Sequence, residues 1–176
     1  MNRSKSTGRC GALGYWFLGL SLLLLSSACE EQDLTVPTAA DVESAFSYEG
    51  SLSVAMSGNV AEVKVSQADR DLRRGGTLWA KVGPYVLLFS EESEGLFRTY
   101  PGLAGIRVVT TASGGAEVAR ALLPRDGLND LTWRRALNIA GLARRDGTRR
   151  PTLLEDLVRW GEDHTEFSYN PRYTQP

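Results

Sequence analysis

The stretch "FSYEGSLSVAMSGNVAEVKV" (Phe46–Val65) carries the reading on which the fold turns. Phe46, Tyr48, Leu52, Val54 and Met56 fall on one side of an extended chain, with Ser47, Glu49, Ser51 and Ser53 on the other. This alternation is that of a half-buried strand. "SGN" then marks a turn, and "VAEVKV" repeats the pattern with Ala61, Val63 and Val65 inward and Glu62 and Lys64 outward. Two such runs about a short turn read as a β-hairpin, so the domain begins with antiparallel sheet.

Downstream the period changes. Ser66 and Asp69 have capping-box spacing, and Ala68, Leu72, Gly75, Trp79 and Val82 recur on one helical face, which Gly83 and Pro84 are expected to end. "YVLLF" (Tyr85–Phe89) is short and continuously apolar, as in a central buried strand. "SEESEGLFRTYPG" reads as a short helix or loop closed by Pro101 and Gly102. "IRVVTT" and "AEVARALL", joined by "ASGG", form a second hairpin, although the second arm also has the composition of a helix.

Two C-terminal helices follow. Trp133, Ala136, Leu137, Ala140 and Ala143 share one face, capped near Asn129 or Asp130 and stopped at Gly147. Thr152 and Glu155 have capping-box spacing for a helix carrying Leu154, Leu157 and Val158, with Gly161 expected to end it. The tail "EDHTEFSYNPRYTQP" has no period and is expected to lie over the domain or against a partner. The fold class is therefore α+β: one mixed or antiparallel sheet of about five strands, helices packed on it, and two C-terminal helices.

The N-terminus is of another kind. "MNRSKSTGR" is basic, and an uncharged apolar run extends from Cys10 to Cys29. Its part from Gly11 to Ala28 would reach about 27 Å as a helix, against about 30 Å of hydrocarbon, so length alone admits a cleaved signal or a retained anchor. The end of the run discriminates: Leu22 to Leu25 give way to Ser26, Ser27, Ala28 and Cys29, small residues of the kind a signal peptidase requires. In these residues the chain resembles bacterial lipoproteins, whose signal is cut just before a diacylglyceryl-modified cysteine. The resemblance is confined to the first 29 residues and has Ser26 where leucine is most usual. It implies a lipid-anchored Cys29 at the mature N-terminus and, with Glu30 rather than Asp following, an outer-membrane place facing the periplasm. The expected organisation is then a signal peptide over 1–28, an acidic tether over 29–44, and one domain over 45–176 with an irregular tail.

That domain, of about 150 residues with its tether, can bury an ordinary core without a disulfide or metal. With Cys10 removed and Cys29 lipidated, no thiol remains for a nucleophile or thiolate metal site. The single histidine, His164, stands near Glu162, Asp163 and Glu166, too few nitrogen or sulfur ligands for a catalytic zinc centre. "GxSxG" and phosphate-cradling glycine spacings are absent. We expect no enzyme, no metal, no cofactor and no nucleic-acid partner. Trp79, Trp133 and Trp160 read as core residues.

The charge distribution supplies the remaining candidate. From Glu30 to Glu62 all seven charged residues are acids, whereas Arg120 to Arg159 holds nine arginines and five acids. Salt bridges and helix C-termini account for many such arginines. The functional alternative is a surface for an anion or acidic partner, formed by Arg134, Arg135, Arg144, Arg145, Arg149 and Arg150. The expected role is a lipid-anchored envelope accessory protein binding another envelope component. A small-ligand carrier with a pocket between sheet and helices, or an envelope hydrolase, are the alternatives.

Overall fold

The computed structural model describes residues 34–48, 51–67, 72 and 76–175. The signal, Cys29, Glu49, and the Ala68, Asp69 and Gly75 positions of the expected helical face lie outside them. Five strands form one mixed sheet in chain order: β1 (Leu52–Ser57), β2 (Val60–Ser66), β3 (Gly105–Thr111), β4 (Glu117–Pro124) and β5 (Glu166–Tyr169). Only β2 and β3 are parallel; the other neighbours are antiparallel. A parallel pair cannot be joined by a tight turn, and here the crossover carries α2 (Gly76–Leu88) and α3 (Glu91–Thr99).

Alternation decides the faces. In register, Val54, Val63, Val108 and Ala121 line one face, and Ala61, Ile106 and Leu123 join them. Both sets pack into the main core with Tyr85, Leu88 and Phe89 of the α2 region, and with Ala136, Ala140, Leu154 and Leu157 of α4 (Asp130–Asp146) and α5 (Thr152–His164). Glu62, Lys64, Arg107 and Arg120 take the opposite face, where Arg107 meets Glu62 at 3.4 Å. The sheet expected from sequence and its two hairpins are present, and "AEVARALL" forms β4 rather than a helix.

Several expectations are corrected. "YVLLF" is no strand: α2 runs through Pro84 to Leu88, and Tyr85, Leu88 and Phe89 are fully buried. A five-residue apolar run has no period of its own, and burial on several sides suits a helix as well as a strand. Pro84 sits inside the helix and forfeits a backbone bond to the Ala80 carbonyl, and the burial of Tyr85 and Leu88 outweighs that loss. Ser66, expected as a cap, is the last residue of β2.

Gly161 does not end α5, which continues to His164. A Cβ there would stand 2.4 Å from the Tyr85 ring, so glycine allows the ring to lie on the helix backbone. The expected cap at Thr152 is also absent, since Pro151 precedes the helix without a side-chain bond.

The ends of the described domain carry more regular structure than composition suggests. Within the expected tether, Ala39–Ala45 forms α1, with a reciprocal Thr38–Asp41 capping box and a fully buried Val42. Burying such a side chain contributes about 2 kcal/mol, enough with a cap to dock a short helix. Bonds from Thr38 hold the Asp41 carboxyl below its ordinary pKa. Before α1, Thr35 accepts from the Gly102 amide at 2.9 Å, and a Cβ on Gly102 would collide with the Leu34 carbonyl.

The expected irregular tail contributes β5 and α6 (Pro171–Thr174). At Val118 the β3–β4 register shifts, and Asn170 takes up the freed groups: its N–H bonds Val118 O and its Nδ2 bonds Glu117 O. Tyr169 reaches under the sheet edge to Tyr85, their hydroxyls 2.6 Å apart.

One side chain closes the crossover. Arg125 Nε and Nη1 donate to Leu103 O (2.7 Å) and Phe97 O (2.9 Å), Nη2 donates to Tyr100 O, and the guanidinium lies over the Phe97 ring. The end of α3 and the entry to β3 are thus tied to the end of β4. Arg125→Met keeps the stem but removes these charged donors; it should cost about 3 kcal/mol in urea unfolding, with Arg125→Lys recovering part. An unchanged midpoint would sink this assignment.

Burial raises the Tyr85 phenol to about 12, partly offset by bonds to Tyr169 and Thr165, and burial raises Tyr169 still further. An acid raised on folding stabilises fully below its unfolded pKa, near 10, and loses that contribution as pH climbs through the folded value. Tyrosinate absorbance should therefore appear first from the exposed phenols. The last ones should titrate only near or above pH 12, together with loss of near-ultraviolet circular dichroism.

Candidate functional site on the helical hairpin

Helix α4 carries four of the six candidate arginines, and the turn between α4 and α5 carries Arg149 and Arg150. Asn129 caps α4 by accepting from the Leu131 and Thr132 amides, and Gly147 ends it, as the sequence indicated. Trp133, Ala136, Ala140 and Ala143 face the core. The arginines consequently fall on the solvent side, but not together.

Arg144, Arg145, Arg149 and Arg150 cluster at the α4–α5 turn, all exposed. Arg145 bonds Asp146 at 3.1 Å, whereas Arg144, Arg149 and Arg150 make no ion pair among the described residues. The last-turn position of Arg144 and Arg145 also suits the helix dipole. Arg134 lies three turns back, its Nε on Asp130 O at 3.3 Å.

Arg135 is placed differently. Its guanidinium lies 4.7 Å from the Trp160 ring, and the His164 imidazole stacks at 4.0 Å and 23° from that same ring. Trp160 and His164 are one turn apart on α5, and His164 Nδ1 lies 2.9 Å from Trp160 O. Arg135 and Trp160 line a cleft of about 530 Å³ between the helices, with Asn138, Ile139, Asp156, Arg159 and Asp163.

Trp160 is therefore half-buried at a surface seam, unlike Trp133, which is a core residue as expected. Its Nε1 is buried without an acceptor. Cation–π contact at an exposed site is worth about 0.5–1 kcal/mol, so Arg135 is held but not consumed. Sequence reasoning selected Arg135 and missed its site, because only the Trp160–His164 spacing is local. Arg159 reaches Asp156 at 3.8 Å, a weak pair open to solvent.

Among the described residues no three His, Cys, Asp or Glu side chains converge as metal ligands. None of the described helices is long and apolar enough to cross a membrane. No protein-family model matches this chain, and no curated protein or solved structure matches it.

The unpaired arginines at the turn should be energetically idle in the isolated domain. Individual Arg144→Glu, Arg149→Glu and Arg150→Glu changes are expected to stay within about 0.5 kcal/mol of the parent in thermal unfolding. A loss above about 2 kcal/mol for any of them would reveal a structural role instead.

Proposed function

We propose that this is a lipid-anchored envelope protein, held through Cys29 in the outer membrane and facing the periplasm, that docks an acidic protein through the α4–α5 turn. The observation that carries the docking role is the concentration of exposed guanidinium groups there, three without a carboxylate partner among the described residues. Arginine offers five fixed N–H donors, suited to bidentate capture of carboxylates. Support for the anchor is the Ser26-Ser27-Ala28-Cys29 boundary after the leucine run. Three acyl chains, as the lipoprotein resemblance implies, exceed the two signals that stable anchoring takes.

A periplasmic carrier is the weaker reading, since the space between sheet and helices is filled by fully buried side chains such as Ile106, Leu123 and Leu157.

Intact mass of the membrane-extracted protein should show loss of residues 1–28 with added lipid, abolished by Cys29→Ser. In-cell crosslinking should then give a specific adduct that the combined Arg144→Glu, Arg145→Glu, Arg149→Glu and Arg150→Glu protein loses while remaining folded. An unprocessed N-terminus removes the anchor; an adduct retained by the charge-reversed protein removes the docking surface.

A further inference from the structure

The cleft between α4 and α5 has a chemistry that neither the anchor nor the basic turn employs. On one wall, the Arg135 guanidinium lies 4.7 Å from the Trp160 ring, and the His164 imidazole stacks on that same ring. Arg135 forms no ion pair among the described residues, although Asp156 and Asp163 line the same cleft. Trp160 itself lines the cleft, so its indole stands where it can report on what enters.

The opposite charge is present too. Asp163 has no cationic partner among the described residues, and Asp156 is only weakly engaged by Arg159 at 3.8 Å. A guanidinium held against an aromatic ring loses less entropy on binding than a free one, and its forked donors match a carboxylate. Neighbouring carboxylates disfavour a doubly charged phosphate but favour a ligand that also bears an ammonium. Asn138 adds an amide able to donate and accept between them, and Ile139 supplies an apolar floor.

We infer that the α4–α5 cleft binds a small zwitterion of the amino-acid or short-peptide class, its carboxylate on Arg135 and its ammonium on Asp163. A dipeptide fits readily within about 530 Å³. The site is on the outer seam of the helical hairpin, not between sheet and helices. It is also distinct from the four arginines of the turn, so it stands or falls apart from the docking role.

The Trp160 indole N–H signal, assigned with Trp160→Phe, reports occupancy in the full-length protein. Titration with L-alanyl-L-alanine should move that signal saturably. The N-acetylated and C-amidated dipeptides, each lacking one charge, should bind at least tenfold more weakly. Arg135→Met should abolish the response to the dipeptide, and Asp163→Asn should weaken it by a similar factor, with both proteins retaining the parent circular dichroism. Two results would overturn the proposal: no saturable shift up to about 10 mM dipeptide, or equal binding of the blocked dipeptides. An undiminished response in folded Arg135→Met would do so as well.

Discussion

The bonds from Arg125 to the carbonyls of Phe97, Tyr100 and Leu103 are the constraint on which the architecture rests. A helix C-terminus leaves carbonyls without partners, and here those of α3 point into the junction where the crossover returns to the sheet. Water cannot serve them well in so crowded a place. One guanidinium, delivered from the end of the neighbouring strand, supplies three donors and an aromatic contact at once. The parallel joint between β2 and β3 and the seating of α3 are thereby one structural decision.

The same junction organises its surroundings. Phe97, beneath the Arg125 guanidinium, packs on Trp133 and so orients the first turn of α4. Gly102 lets the incoming chain cross within hydrogen-bonding distance, which positions α1 against the sheet. On the far side of the core, Tyr85 lies on the glycine-bared backbone of α5 and joins Tyr169, so that the last strand is fastened to a buried helix as well as to β4. Each fastening uses a polar group whose partner comes from a distant part of the chain.

That separation explains what was legible in the sequence. Both hairpins and α4, with its Asn129 cap and Gly147 stop, announce themselves through periodicity and end signals, all local quantities. "YVLLF" misled because its fully apolar surroundings erase any period, and Gly83-Pro84 resembles a terminus that tertiary packing overrode. α1 and β5 were obscured because short elements derive their stability from what they dock on. Arg125 showed no signal at all, since its partners are carbonyls, which carry no residue identity. The six arginines were found by density, but only the fold separates the four at the turn from Arg134 and from Arg135 beside Trp160.

The single parallel pairing also has a kinetic meaning. β1 and β2, like β3 and β4, meet across tight turns, and such hairpins close in microseconds. Bringing Ser66 beside Thr111 requires closing the whole crossover, with its entropy spent before any contact is gained. From this topology, the union of the two hairpins is expected to be slower than the closing of either.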